Sequence, residues 1–198
     1  MTEWNKPWEA LLVSNRIPKD YIVTKGIGDT DSGHGSDPWE TGSFDMACKM
    51  AQIENFNIVR YTSILPPGAT EMPIEQAKTL YHPGAVMEAI ISQCNGHQGD
   101  HICAGVGTIR VTRIADGQAM ASYAAEYTGH ANESGAKAFL HESLMHEFLR
   151  RYDPHTYAPS DERFCVQEHV VQHRHGTVIA LIGFITYIYP VLAKGYVD

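Results

Sequence analysis

One stretch of the chain carries residues whose types and order could do chemistry. Residues 55–65 are rich in β-branched and aromatic side chains, which predicts a strand. The Pro66-Pro67-Gly68 turn must end that strand, because proline cannot donate a hydrogen bond to a neighbouring strand. Thr62 and Ser63 therefore come at a strand end, where side chains leave the sheet and can meet a substrate. An ordinary strand exit explains the dipeptide alone equally well.

The sequence around the dipeptide is more specific than the dipeptide itself. Residues 54–66 resemble the self-cleavage segment of the pyruvoyl-dependent arginine decarboxylases, in the chlamydial type whose cut falls between Thr and Ser. Further matches are Phe44-Asp45 before the segment, then residues 82–86 and 124–127 after it. Because these matches keep their order from about residue 20 to about residue 190, a chance motif does not account for them.

The resemblance implies a reaction and a cofactor. The precursor is expected to cut itself between Thr62 and Ser63 into residues 1–62 and 63–198, with Ser63 becoming a covalent pyruvoyl group. That group would form a Schiff base with L-arginine, which is converted to agmatine and CO2. Serine is required at this position because its oxygen first attacks the Thr62 carbonyl and later leaves. The same resemblance implies an α+β fold built as a four-layer αββα sandwich, assembled as a homotrimer or a pair of trimers.

Three further residues take their roles from the resemblance. Asn57 matches a residue implicated in self-cleavage and is the candidate oxyanion donor. Glu126 matches the general acid, and its apolar neighbours in residues 124–127 favour a buried, protonated carboxyl. Asp45 matches the residue that pairs with the substrate guanidinium, because a carboxylate accepts two parallel hydrogen bonds from that group. A turn asparagine, an outward-facing strand glutamate and a solvated helix aspartate are the competing interpretations.

Composition limits the class of protein. The chain has 198 residues, of which 43% are hydrophobic, and this is enough for one sizeable core in a single domain over residues 1–198. The net charge of −8 and the lack of a basic cluster argue against nucleic-acid and anionic-membrane partners. The amino-terminal residues show no apolar signal segment, and the cysteines are widely spaced, so we expect reduced thiols and a cytoplasmic protein. The four cysteines are Cys48, Cys94, Cys103 and Cys165.

No metal site is expected from the sequence. The loop predicted at residues 26–38 contains alternating acidic residues, but His34 replaces the glycine that a calcium loop needs and a strand precedes it. A dinucleotide fingerprint would need glycine at Asp31. His141 and His146 are five residues apart, about 140° around a helix, so they cannot share a metal as an i, i+4 pair does.

The remaining pattern predicts an α+β order of elements. Strands are expected at residues 20–25, 84–92, 101–114, 118–127, 164–173 and 177–189, and helices at 38–52 and 132–152. Asp116-Gly117 predicts a hairpin turn, and Asn132 suits a helix N-cap. The apolar run 177–192 contains Gly183 and Pro190 and is too short for a membrane helix, which favours a buried strand. Residues 1–19 are expected to be a loosely specified lead-in.

Two other functions stay open on the sequence alone. A pyruvoyl-dependent decarboxylase of another amino acid would share every residue named above, because substrate choice depends on a pocket that the sequence does not reveal. A non-catalytic ligand- or metal-binding protein of the same fold is the second alternative, although it would have no use for a cleavable Thr62-Ser63 bond. For a decarboxylase, proton uptake would suit either acid resistance or polyamine supply.

Overall fold

The computed structural model describes residues 8–197, and the side chains of residues 13–192. The part of the predicted lead-in at residues 1–7 lies outside the described residues, whereas residues 8–19 contain one strand and the start of another. In chain order the elements are β1 (Trp8–Val13), β2 (Ile17–Thr30), a π-helical turn (Glu40–Phe44) leading into α1 (Asp45–Met50), β3 (Asn57–Arg60), β4 (Ile64–Leu65), β5 (Thr70–Glu71), α2 (Ile74–Ala77) with a 3₁₀ turn (Lys78–Leu80), β6 (Val86–His97), β7 (His101–Arg113), β8 (Ala119–Gly129), α3 (Glu133–Arg151), β9 (Tyr157–Val170), β10 (His175–Ile188) and β11 (Val191–Val197).

The strands form two main sheets, which confirms the α+β class. One sheet has five strands in the order β3-β6-β10-β2-β5, and the other has four in the order β4-β8-β7-β9. Strands β1 and β11 form a separate antiparallel pair. The predicted apolar run after residue 177 is the central strand β10, whose residues 175–184 are all buried, so the prediction of a buried strand is confirmed.

Three apolar clusters show how these elements pack. Ala47 and Cys48 of α1 pack on Ile22 and Leu181, which lie on one face of the five-stranded sheet. The opposite face of that sheet packs on the four-stranded sheet through a cluster of Leu65, Ile90, Val106, Ala124, Ala180, Ile182 and Phe184. The far face of the four-stranded sheet packs on Ala136, Leu140, Leu144 and Phe148 of α3. The described elements are therefore layered in the order α1, sheet, sheet, α3.

Most predicted boundaries are right, and the errors have physical causes. Helix α3 begins after Asn132, whose Oδ1 accepts the Gly135 N–H at 2.9 Å, and the β7–β8 hairpin turns at the predicted residues. The expected helix at 38–52 starts as a π-helical turn and is α-helical only over Asp45–Met50. Strands β6 and β9 are longer than predicted, because their antiparallel partners extend the pairing into polar sequence. Within residues 8–197, no helix has both the length and the apolar character that crossing a bilayer would require.

The predicted loop at residues 26–38 is wrong over its first third, because β2 continues to Thr30. Its first two glycines mark close packing of a helix on a strand. A Cβ on Gly26 would overlap the carbonyl oxygen of Ala47, and one on Gly28 would overlap that of Ser43. Glycine therefore allows the π-helical turn and α1 to approach β2 closely, and α1 begins with Asp45.

Candidate active site

The Thr62-Ser63 segment crosses from one sheet to the other. The predicted single strand over residues 55–65 is wrong in this respect, since β3 ends at Arg60 in the five-stranded sheet and β4 begins at Ile64 in the four-stranded sheet. The Tyr61 N–H donates to Ala89 O at 2.8 Å on the first side, and Ser63 O accepts the Ala124 N–H at 2.9 Å on the second. The peptide bond between Thr62 and Ser63 is thus held at both ends but belongs to neither ladder.

Ser63 contacts the predicted acid. Its Oγ donates to Glu126 Oε2 at 3.2 Å. Glu126 has the same parity on β8 as Ala124, and Ala124 packs between the two sheets, so the carboxyl also points toward the junction. The structure therefore brings together two residues that are 63 positions apart in the sequence.

The surroundings of Glu126 favour its protonated form. Burial is the main cause that raises the pKa of this carboxyl above its ordinary value, and the negative charge of Glu147 adds to it. The hydrogen bond from Ser63 and the positive charge of Arg60 oppose the rise without cancelling it. A carboxyl of this kind can hold a proton that an exposed glutamate would have lost.

The carbonyl that Ser63 would attack has a donor of its own. Ile64 N–H donates to Thr62 O at 3.0 Å. A backbone N–H at this distance could stabilise the negative charge that develops on this oxygen during attack. Sequence reasoning missed this group, because every residue except proline carries an N–H and only the chain path reveals where it points.

Asn57 lies elsewhere. It is the first residue of β3, it is exposed, and its Nδ2 donates to Gly84 O at 2.9 Å. Among the described residues, no hydrogen bond joins Asn57 to the Thr62-Ser63 segment. Within one chain, the Thr62 carbonyl oxygen therefore accepts a hydrogen bond from the Ile64 N–H. The predicted role of Asn57 as oxyanion donor stays a prediction.

Asp45 lines a pocket of about 450 Å³ between α1 and the β3–β6 side of the five-stranded sheet. Asn57 and Arg60 also line it, whereas Ser63 and Glu126 do not. Four carboxylates lie around this pocket, from Asp37, Glu40, Asp45 and Glu54. Burial and the nearby Asp45 raise the pKa of the Cys48 thiol to about 12, so this lining group is neutral. The pocket is strongly acidic and suits a cationic ligand.

Two acidic residues of the predicted loop have a structural role. Asp29 accepts hydrogen bonds from His169 Nε2 at 2.6 Å and from the backbone N–H groups of Gln172 and His173. Asp31 accepts the Arg174 N–H at 3.1 Å. These contacts fasten the β9–β10 turn to the end of β2, an arrangement that the sequence did not reveal because the partners are about 140 residues apart.

Fold and site define an α+β protein whose serine, held between two sheets, faces a protonatable carboxyl. Comparison with known proteins gives the family. The family model of pyruvoyl-dependent arginine decarboxylase matches residues 20–189. The chain therefore belongs to the pyruvoyl-dependent arginine decarboxylase family, which confirms the resemblance noted in the sequence.

Individual relatives agree with this assignment. The pyruvoyl-dependent arginine decarboxylase AaxB of Chlamydia caviae is 33% identical over 186 residues, covering 87% of this chain and 93% of that protein. AaxB of Chlamydia trachomatis serovar D is 32% identical over the same length and coverage. The pyruvoyl-dependent arginine decarboxylase 1 of Archaeoglobus fulgidus is 30% identical over 131 residues, covering 66% of this chain and 76% of that protein.

Proposed function

We propose that this chain is a self-processing, pyruvoyl-dependent decarboxylase that converts L-arginine to agmatine and CO2. The observation that carries the proposal is the contact of Ser63 Oγ with Glu126 at the break between the two sheets. Membership of the family supplies the class of reaction, and the acidic pocket around Asp45 supports a cationic substrate.

The residues at the break fit the formation of a pyruvoyl group. Ser63 Oγ would attack the Thr62 carbonyl carbon, and the peptide would become an ester as the nitrogen leaves. Loss of the Ser63 Cα proton would then free the Thr62 carboxylate, and water would replace the nitrogen, which leaves as ammonia. The Ile64 N–H supports the first step, since it already donates to the carbonyl oxygen on which negative charge develops.

Glu126 would serve after cleavage as the proton donor. The pyruvoyl group, once formed, binds the substrate amine and accepts the electron pair that departing CO2 leaves. The substrate Cα must then gain a proton, and a carboxyl whose pKa is raised by burial can deliver one at a pH where an exposed glutamate cannot. Under this proposal, Glu126 would hold the proton, and the junction between the sheets would limit the access of water to the Glu126 carboxyl.

Asp45 would bind the guanidinium of arginine. Its carboxylate can accept two parallel hydrogen bonds from that planar group, and the three other carboxylates around the pocket add a favourable field. The negative charge of the pocket would then favour arginine over neutral amino acids of similar length.

We further propose assembly as a homotrimer or a pair of trimers. In one chain the Asp45 pocket and the Ser63–Glu126 pair are separate features, and a second copy that brings its pocket to the pair would complete the site. Exposed apolar side chains beside the junction support such a contact, namely Val59, Ile64 and Val86, which are 46%, 56% and 57% exposed.

A cytoplasmic location suits this enzyme, because all four of its cysteines are free thiols, as in a reducing compartment. Each turnover would consume a proton and produce a polyamine precursor. Acid resistance and polyamine supply are therefore the two roles that we propose for it.

The direct test is an assay of purified protein with L-arginine, in which agmatine and CO2 are measured together. We expect equimolar products from wild-type protein and none from Ser63→Ala, which lacks the attacking oxygen. L-ornithine, L-lysine and L-histidine serve as competitors for the substrate assignment. A preference for one of these over arginine would replace the substrate while keeping the reaction class.

A further inference from the structure

Arg60 is the one cationic side chain among the described residues that line the acidic pocket. Its Nη1 donates to Ile91 O at 3.3 Å, and its Nη2 donates to Gln93 Oε1 at 3.0 Å. Within residues 13–192, the guanidinium has no carboxylate within ion-pairing distance, although four carboxylates line the same pocket. Arginine carries five N–H donors, so further donors remain for a ligand.

A chain of hydrogen bonds sets the orientation of this guanidinium. Gln93 Nε2 donates to Asn95 Oδ1 at 3.1 Å, and Thr177 Oγ1 donates to the same oxygen at 3.0 Å. Ser43 Oγ lies 2.7 Å from Thr177 Oγ1 and must be the donor, because the Thr177 proton is already engaged. Ser43 and Thr177 are fully buried, so this series of hydrogen bonds is anchored in the core beneath α1. It keeps the Gln93 amide oriented with its oxygen toward Arg60.

We propose that Arg60 binds the α-carboxylate of the substrate and that Gln93 is the residue that positions it. This inference rests on the proposed function. Arginine carries its guanidinium at one end and its carboxylate beside the reacting carbon, and the pocket offers carboxylates together with a single cation. Arg60 lines the same pocket as Asp45, the proposed guanidinium site, so one pocket offers a partner for each end of the substrate.

This contact would separate substrate from product. Agmatine has the same guanidinium and amine as arginine but lacks the carboxylate, so Arg60 would favour the binding of arginine and contribute nothing to that of agmatine. The hydrogen bonds from Arg60 to the substrate carboxylate would act mainly before CO2 departs. They would therefore lower the KM for arginine without raising kcat.

The test compares arginine and agmatine on Arg60→Gln. We expect the KM for arginine to rise at least about tenfold, the range set by charged hydrogen bonds. At acidic pH, where Glu126 is protonated in both proteins, kcat should stay within about twofold of wild type. The inhibition constant of agmatine should change by less than about twofold, and cleavage at Ser63 should proceed normally. Arg60→Lys should recover part of the affinity, since it keeps the charge and loses the planar fork.

Two controls make the result specific. Gln93→Leu keeps the Arg60 cation but removes the hydrogen bond that orients it. It should therefore raise the arginine KM less than Arg60→Gln does, and it should leave the inhibition constant of agmatine unchanged. Arg150→Gln, an exposed arginine on α3 at the opposite side of the layers, should change neither constant. Equal weakening of arginine and agmatine by Arg60→Gln, or an unchanged arginine KM, would overturn the assignment.

The same comparison can be made without turnover. Calorimetric titration of uncleaved Ser63→Ala protein, with and without Arg60→Gln, gives the arginine-to-agmatine affinity ratio directly. If wild-type protein fails to decarboxylate arginine but this ratio still depends on Arg60, the proposed reaction fails and the carboxylate site stands. A ratio that is independent of Arg60 removes the carboxylate site whatever the reaction is.

Discussion

A serine hydroxyl that donates to a half-buried carboxyl is the smallest unit from which the chemistry follows. Ser63 and Glu126 were both named from the sequence, but by resemblance, and only the fold shows their contact at 3.2 Å. The raised pKa of Glu126 has a physical origin in burial that the apolar neighbours of this residue already suggested. The backbone N–H of Ile64 could not be predicted in the same way, because its direction depends on where the chain leaves one sheet for the other.

Glu126→Gln should separate cleavage from turnover. The amide oxygen can still accept the hydrogen bond from Ser63, so we expect cleavage to proceed, but the amide cannot deliver a proton and kcat should fall about 10²-fold or more. If protonated Glu126 is the active form in the wild type, as we propose, kcat should decline as pH rises through its pKa, above the ordinary glutamate range. A pH profile of kcat for both proteins checks this, and near-native turnover by cleaved Glu126→Gln would remove the residue from the mechanism.

Asp45→Asn tests the reading of the guanidinium. The change keeps the size of the side chain but removes its charge and part of the bidentate acceptor geometry. Charged hydrogen bonds contribute roughly 1.5–3 kcal/mol, so kcat/KM for arginine should fall about 10- to 150-fold. Citrulline, a neutral analogue of similar length, is the matched control. Equal losses for both compounds would mean that Asp45 supports the fold or a subunit contact instead.

At the scale of helices and strands, some of the elements that hold the site were predicted from the sequence and others were not. The long periodic helix α3 and the β7–β8 hairpin were predicted closely, because their side-chain spacing and turn residues are local signals. The glycines at 26 and 28 were interpreted as loop residues, although they lie in β2 against the π-helical turn and α1. Close packing across two elements leaves the same local signature as a flexible loop, so the sequence alone could not distinguish them.

Gly28→Ala should show what this close packing contributes. An added methyl group would overlap the Ser43 carbonyl oxygen and push the π-helical turn away from β2, which overpacking effects suggest would cost about 1–3 kcal/mol of unfolding free energy. Because the displaced turn carries Glu40 and leads into Asp45, the arginine KM should rise as well. Gly68→Ala is the matched control, since its Cβ would meet no atom within 4 Å. Thermal unfolding that is equally affected by both changes would contradict this account.

The layering of the whole molecule explains why cleavage need not unfold the protein. Residues 1–62 contribute β2, which pairs along most of its length with β10 from the second part of the chain, and α1, which packs on the same sheet. The two products of a cut after Thr62 would thus stay together through sheet pairing and core packing. The α+β class was predictable from the order of elements, whereas the exchange of sheets at residues 61–63 required the three-dimensional pairing of β3 and β4.

Co-expression of two impaired variants tests the proposed assembly. Asp45→Asn lacks the proposed guanidinium site and Glu126→Gln lacks the proposed acid, so neither should turn over arginine well alone. If one copy supplies the pocket and another the Ser63–Glu126 pair, co-expressed variants should form some complete sites and recover a sizeable fraction of wild-type activity. Separately purified variants that are mixed without subunit exchange provide the control. Activity of the co-expressed pair no higher than the mean of the two variants would mean that each chain builds its own site.

The central claim is that the bond between Thr62 and Ser63 is cut and that Ser63 becomes the reacting group. Intact mass spectrometry of purified, active wild-type protein measures this most directly. We predict two species, residues 1–62 and residues 63–198. The second should be lighter by one ammonia than the same chain beginning with serine, which is the mass of a pyruvoyl-blocked chain. Ser63→Ala should give a single uncut species. Wild-type protein that decarboxylates arginine while its chain remains whole would contradict the account.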